Sequence, residues 1–261
     1  MTRAGVTALV LAGQRGGTDP MAAAAGVSHK ALLPVAGVPM ILRVLSALRA
    51  VPAIERIVVS IESPEVTLKD VSGLDGVLLR QAGSSPARST EAVFEEFGGP
   101  LLVTTADHAL LTPAMVTHVL TASPPEAAAT AALARRETIM AAFPQTKRTW
   151  LRFRDGAFSG CNLFFLARPE AAQVLRFWRR LEQQRKRPLA MARLLGVLPL
   201  LGYALGFLTL RHALKALERR CLARLAFVEM PFGAAAVDVD KAEDLALAEA
   251  VLKAGTDLCP A

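Results

Sequence analysis

Apolar runs alternate with amphipathic stretches through the first half of the chain, at the spacing of a strand–helix–strand repeat. Residues 6–12 (VTALVLA) are continuously apolar or β-branched, which predicts a buried parallel strand. A glycine-bearing stretch from Gly13 to Ser28 comes next. Residues 38–50 (VPMILRVLSALRA) predict an amphipathic helix with Pro39 in its first turn. Residues 56–61 (RIVVSI) and 76–80 (GVLLR) predict two more strands. Around 84–97, SSPARSTEAVFEEF carries Ser/Thr capping signals ahead of a helix. PLLVTTAD (100–107) predicts a fourth strand that ends on an acid, and Pro113 opens a helix to about 121.

This order implies βαβ units and a parallel sheet with helices on both faces. Such sheets bind ligands at the carboxyl ends of their strands. The loops after Ala12, Arg80 and Thr105 are therefore the ones to search for chemistry.

The second half is less regular. TWLRFRDG (149–156) and FSGCNLFFLA (158–167) predict two strands joined by an Asp-Gly turn. Residues 169–187 and 211–224 predict basic amphipathic helices, and the stretch between them, 194–210, carries no charge. LAFVEM (225–230) predicts a return strand, and Asp238-Val-Asp240 precedes a last helix at about 241–254. The expected organisation is a single domain over 1–261 that contains a basic, apolar helical insertion at 168–227.

Composition sharpens this picture at three points. With 52% apolar and 20% charged residues, the chain has enough apolar surface for a core, so wholesale disorder is excluded. The net charge of +7 is local in origin: residues 168–224 hold thirteen Lys/Arg against three Asp/Glu. Three cysteines (Cys161, Cys221, Cys259) without CxxC spacing argue against a disulfide scaffold or structural zinc and suggest a reducing compartment. The N-terminus makes a poor signal peptide and a good first strand, so a cytoplasmic location is expected.

Neither GxxxxGK[ST] nor GxGxxG occurs, which removes a P-loop NTPase and the usual dinucleotide fingerprint. Instead the first strand leads through Leu11-Ala12-Gly13-Gln14-Arg15-Gly16-Gly17 and on to His29-Lys30-Ala31-Leu32-Leu33-Pro34-Val35-Ala36-Gly37. Together with VTTADHALLT (103–112) and VDVDKAEDL (237–245), this resembles the MobA-like NTP-transferase family of nucleotidyltransferases. That family includes sugar-phosphate, molybdenum-cofactor and methylerythritol-phosphate nucleotidyltransferases. The resemblance is strong over residues 6–50 and rests on three matches in the same order. It implies an α/β, GT-A-like (Rossmann-like) fold, with a predominantly parallel mixed sheet flanked by helices.

The resemblance also implies roles. Leu11, Ala12, Gly13 and Gln14 would form the nucleotide loop, where glycine lets backbone N–H groups approach a triphosphate. Lys30 would place a point charge on the α-phosphate, and Arg15 would hold the departing pyrophosphate. Asp107 and Asp240 would hold Mg²⁺, which commonly takes one or two carboxylates plus phosphate oxygens. Asp238 ranks behind Asp240, as a polar neighbour, and Asp244 reads as a first-turn helix acid. Gly83 and Ser89, in QAGSSPARST (81–90), would contact base and ribose and lean the choice towards CTP. Gly160 and Asn162 lie on a strand that in this family faces the acceptor; a strand bulge with a buried amide is the other reading. The chain departs from the family in a long loop between Gly13 and Lys30 and in His29, where proline is usual.

The implied reaction moves an NMP from an NTP to a phosphate- or phosphonate-bearing acceptor, soluble or lipid-linked, and releases pyrophosphate. Two other classes stay open on the sequence. One is a GT-A glycosyltransferase using an NDP-sugar, although Asp107-His108-Ala109 is not its DxD. The other is a non-catalytic module of the same fold. No nucleic-acid partner is expected, because aromatic residues are sparse in the basic segment and no binding motif occurs. Residues 194–210 are short and glycine-broken for a membrane span. Peripheral membrane contact through 176–224 and packing on the domain or in a homodimer interface are both compatible with the pattern.

Overall fold

A computed structural model describes residues 5–14, 16–17, 19–184 and 187–255. Strand β1 (Val6–Leu11) leads into the glycine loop, which carries a short helix α1 (Pro20–Ala24) and a 3₁₀ turn at Lys30–Leu32. A two-residue ribbon, β2 (Pro34–Val35) and β3 (Val38–Pro39), delivers the chain to α2 (Met40–Arg49). Next come β4 (Ile54–Ile61), α3 (Pro64–Thr67), β5 (Val77–Gln81), α4 (Pro86–Phe97), β6 (Leu101–Thr105) and α5 (Pro113–Ala122). The second half adds β7 (Ala129–Arg135), α6 (Arg136–Ala142), β8 (Leu151–Phe153) and β9 (Gly156–Leu166). Four helices come in a row: α7 (Ala171–Gln184), α8 (Pro188–Leu195), α9 (Val197–Ala204) and α10 (Leu210–Cys221). Strand β10 (Leu225–Met230) and helix α11 (Ala242–Lys253) complete the described chain.

Eight strands form one sheet in the order β10-β7-β9-β6-β1-β4-β5, with β8 paired to β9. The pairs β1–β4, β1–β6, β4–β5 and β7–β10 are parallel, whereas β9 runs antiparallel to β6, β7 and β8. This is the mostly parallel mixed sheet expected of the family. Its layering follows from the alternation of side chains along β1. Ala8 and Val10 enter the larger core cluster, with α2, α5 and α11, while Leu9 enters a second cluster with α4 and α7. Met40, Ile41, Val44, Leu45 and Leu48 of α2 are fully buried. Such side chains each stabilise the fold by roughly 1.5–3 kcal/mol.

Among the eight strands of this sheet, one has no counterpart in the elements that the sequence pattern predicts. Strand β7 pairs with both β9 and β10 and so carries that half of the sheet. Its sequence, ATAALAR, is mostly alanine, a residue depleted in strands, so its neighbours impose the conformation. The uncharged stretch 194–210 is not one helix. Gly196, at φ +96°, separates α8 from α9, and no described helix is long and apolar enough to cross a membrane.

Candidate active site

The carboxyl ends of β1, β4, β5 and β6 converge on one edge of the sheet. The loop after β1 is held open there by polar stitches. The Gln14 N–H donates to the Glu62 carboxylate at 3.0 Å, and the Gln14 side chain bridges the Ser28 carbonyl (3.1 Å) and the Asp19 N–H (3.3 Å). Asp19 in turn caps α1, accepting from Met21 and Ala22 N–H at 2.9 and 3.1 Å. Between these anchors Gly16 and Gly17 adopt φ of +59° and +93°, a conformation glycine takes without strain. Arg15 lies outside the described residues.

Lys30 is aimed by its downstream sequence. Ala31, Leu33 and Val35 are buried in the main core, which fixes the 3₁₀ turn on which Lys30 sits. Its Nζ lies 2.9 Å from Asp107 Oδ2 and 2.7 Å from Asp240 Oδ1. Asp107 lies just past the end of β6, and Asp240 comes from the other end of the chain, where the Val239 N–H donates to the Asp107 carbonyl at 3.0 Å. Burial by itself would lower the Lys30 pKa, but the two carboxylates outweigh it and hold the ammonium above the ordinary lysine value. Burial opposes ionisation of Asp240, and Lys30 outweighs it, so that carboxyl is held below its ordinary value. The second Asp107 oxygen, Oδ1, is buried with no protein partner.

A further set of residues braces this pair. Arg148, with its side chain 7% exposed, reaches Asp238 Oδ1 and also Asp244 Oδ1 at 3.2 Å. The other Asp244 oxygen accepts the Asp240 N–H at 3.2 Å, and the Asn162 amide donates to Asp238 Oδ2 at 3.1 Å. Desolvation, together with the charges of Asp240 and Asp107, raises the Asp238 pKa against the opposing pull of Arg148. Asn162 is aimed at Asp238 by a bulge: the β7–β9 register slips between Ala131 and Leu133, and Asn162 takes φ +48°. Asn162 thus sits in a strand bulge, with its amide turned to Asp238. Gly160 pairs with Leu133, with open space where a Cβ would stand, and is not part of the cavity wall.

A cavity of about 550 Å³ opens over this cluster, lined among others by Gly13, Lys30, Asp107, Asn162, Asp238 and Asp240. Beside it a small recess of about 50 Å³ is walled by Leu11, Gln14, Glu62, Gly83, Ser85 and Ser89. Ser89 is buried and its Oγ accepts the Gly83 N–H at 2.9 Å, so it braces the loop from inside. Ala12, just past the end of β1, is buried, and its N–H donates to the Ser60 carbonyl across the strand ends. His108 is fully buried; burial pushes its pKa down to about 4, and neither ring nitrogen has a partner.

Sequence reasoning passed over Glu62, Arg148 and the inner role of Asp244. Glu62 had a readable signal, as the first residue beyond a strand at the ligand edge. Arg148 had none, since its partners lie about a third of the chain away.

A model of the MobA-like NTP transferase domain matches residues 8–228. The chain belongs to that family. It is a nucleotidyltransferase of the NTP-using kind. A hypothetical transferase from Thermus thermophilus shares 36% identity with it at a TM-score of 0.79, covering 93% of this chain and 100% of that one. Two more distant structures agree in fold. A CMP:2-keto-3-deoxy-manno-octonic acid synthetase complexed with CTP has 14% identity and a TM-score of 0.59, over 97% of this chain and 100% of its own. A 4-diphosphocytidyl-2C-methyl-D-erythritol synthase from Anaerococcus prevotii has 10% identity and a TM-score of 0.55, over 95% and 96%. No curated protein matches the chain. Family membership sets aside the NDP-sugar glycosyltransferase reading.

Proposed function

We propose that this nucleotidyltransferase moves an NMP from an NTP to a phosphate- or phosphonate-bearing acceptor, with pyrophosphate leaving, and that Mg²⁺ assists. We read residues 168–227 as an insertion within a single domain. The observation that carries the reading is the Lys30 ammonium held between Asp107 and Asp240 beneath the glycine loop. Loss of Mg²⁺-dependent NTP binding would favour the other reading, a non-catalytic module of the same fold.

The acids fit a divalent cation. Two carboxylates already converge on one positive charge, and Asp107 Oδ1 is a buried oxygen with no protein partner. Asp238 is committed to Arg148 and Asn162, and among the described residues no group of three or more ligating side chains stands ready. Mg²⁺ suits so small a donor set, because phosphate oxygens and water complete its shell. Asp107 and Asp240 would hold it, and when bound it would neutralise charge on the phosphates.

The chain's own residues do the rest. The loop at Gly13, Gln14, Gly16 and Gly17, which lines the cavity, receives the triphosphate, while the Ala12 and Gln14 N–H groups stay paired with Ser60 and Glu62 and hold that loop in place. Lys30 shifts from the carboxylates to the α-phosphate and stabilises charge building there. The acceptor oxygen attacks the α-phosphorus in line as the bond to pyrophosphate breaks. An acceptor phosphate is already anionic at neutral pH, so no general base is needed. Asn162 and Asp238 face the acceptor side. Glu62 on the recess wall offers a carboxylate acceptor to the exocyclic amine of a base, and with the resemblance of the Gly83–Ser89 loop to cytidylyl members this leads us to favour CTP.

The test is thermal shift with each of four NTPs, with and without Mg²⁺, on wild type and Asp107→Ala. Ligand at a hundred times its dissociation constant should stabilise by about 2.7 kcal/mol. We expect a Mg²⁺-dependent shift, largest with CTP and lost in the variant. No shift with any NTP would overturn the reading.

A further inference from the structure

The second half of the chain holds an apolar surface that the nucleotidyl-transfer site does not use. Leu189, Leu198 and Phe207 are 80%, 82% and 70% exposed, and Val197, Leu201 and Leu205 are exposed beside them on α8, α9 and the turn after α9. Isolated exposed leucines are ordinary, but six large apolar side chains within nineteen residues form a patch. The patch is not a loose end. The Tyr203 hydroxyl accepts the Arg152 N–H at 3.1 Å, the Tyr203 ring meets Phe153 at 5.4 Å, and the Arg154 N–H donates to the Leu208 carbonyl at 2.9 Å. The hairpin is thus seated on β8 by its inner side, with its apolar side chains turned to solvent.

Cations flank the patch along the chain. Arg187, Arg193, Arg211, Lys215, Arg219 and Arg224 are all exposed. Within residues 168–224, the ion pairs among the described residues are Arg168–Glu170 and Arg179–Glu91, so none of these six is neutralised. We propose that the α8–α9 hairpin and the basic helices around it form a docking surface for an anionic lipid bilayer.

Three observations select that partner. Each of α8 and α9 spans eight residues, roughly 12 Å, which suits lying in the headgroup boundary and not crossing it. Unpaired arginines and lysines beside an apolar face match a negative lipid surface, where each contributes to adsorption. A second copy of this chain fits less well. A twofold interface must be self-complementary, and it would bring together two segments that each carry thirteen basic and three acidic residues. Docking would also have a consequence for the site. Met191 of α8 and Trp178 and Arg179 of α7 wall a groove of about 990 Å³ that runs to Gly83 and Gln14. On the proposed function, this sets the nucleotide groove beside the membrane and within reach of a lipid-borne phosphate acceptor.

The test is vesicle flotation of the full chain. Vesicles of neutral phosphatidylcholine are compared with vesicles containing about 30% phosphatidylglycerol, at about 0.1 M and about 0.5 M salt. We expect binding to the anionic vesicles only, weakened at the higher salt. Lys215→Glu and Arg219→Glu should each weaken it by at least about fivefold, and Leu198→Glu with Leu205→Glu should abolish it. All four positions are exposed, so folding and the NTP thermal shift should stay as in wild type. Absence of binding to anionic vesicles at low salt overturns the proposal, as does binding that ignores these substitutions. A dimer dispersed by Leu198→Glu, with no vesicle binding, would assign the face to a second copy instead. Nucleotide binding is read separately, so loss of docking and loss of the proposed activity are distinguishable.

Discussion

In the proposed reaction the chemistry turns on one side chain, Lys30. With Lys30 between them, Asp107 and Asp240 share one cation; without it, two carboxylates face each other and draw another cation in. Lys30→Ala is therefore expected to bind Mn²⁺ more tightly than wild type in the absence of nucleotide, as read by EPR, while its affinity for NTP falls. Equal Mn²⁺ affinity in both would show that Lys30 does not occupy the cation position. The buried cysteines supply a prediction on pH. Burial pushes the Cys161 thiol up to about 12 and that of Cys221 to about 11. Between pH 9 and those values, the folded chain keeps protons that the unfolded chain loses. Stability thus falls as pH rises through that window. Urea melts at pH 8 and pH 10 should show the loss, and Cys161→Ala with Cys221→Ala should reduce the difference.

At the scale of elements, the site depends on how strands end. Two of the ligand-edge loops are set by local side-chain bonds, Gln14 with Asp19 after β1 and Ser89 with Gly83 after β5, whereas the bulge at Asn162 depends on pairing with β7. Gly83 shows how little slack remains. A Cβ there would stand 2.9 Å from the Arg88 Cβ and 3.1 Å from the Ser89 N–H nitrogen, so the loop must move to admit it. Gly83→Ala should lower NTP affinity by about tenfold or more, corresponding to roughly 1.4 kcal/mol, with the melting temperature of the free protein little changed. Unchanged NTP affinity would place the base away from this loop. Strand β7 teaches the converse lesson. Its alanines have little preference for a strand, and it becomes one because β9 and β10 offer it hydrogen bonds on both sides.

Across the whole molecule, Arg148 ties the loop before β8 to the segment that carries Asp238, Asp240 and Asp244. It is nearly buried and holds two carboxylates, one of them, Asp244, nearly buried as well. Removing one partner of a buried pair leaves an uncompensated charge, so Arg148→Ala should cost about 3–5 kcal/mol. The urea midpoint should fall with an unchanged denaturant slope. Arg148→Lys should rescue only part of the loss, because an ammonium cannot reproduce the two-carboxylate geometry of the guanidinium. A loss below about 1 kcal/mol would mean that the network is solvated and adds little.

The strand–helix alternation, the ligand edge of the sheet and the place of Asp107 on that edge were legible in the sequence because each is set locally, and Lys30 stood out through the resemblance of the run that follows it. An apolar run makes a strand, a strand end faces the ligand edge, and the buried Ala31, Leu33 and Val35 orient the lysine before them. Asp240 was legible only through a resemblance that linked two ends of the chain. The partners of Arg148, the bulge that aims Asn162 and the strand conformation of β7 were decided by tertiary structure. Each depends on neighbours far along the chain, as in Arg148 with Asp238, Asn162 with Asp238, and β7 with β9. Local propensity carries no information about such neighbours. The same holds for the exposed face of α8 and α9. Sequence showed that the segment is apolar and flanked by arginines, but only the packing of Tyr203 and Leu208 on β8 decided which side turns outward.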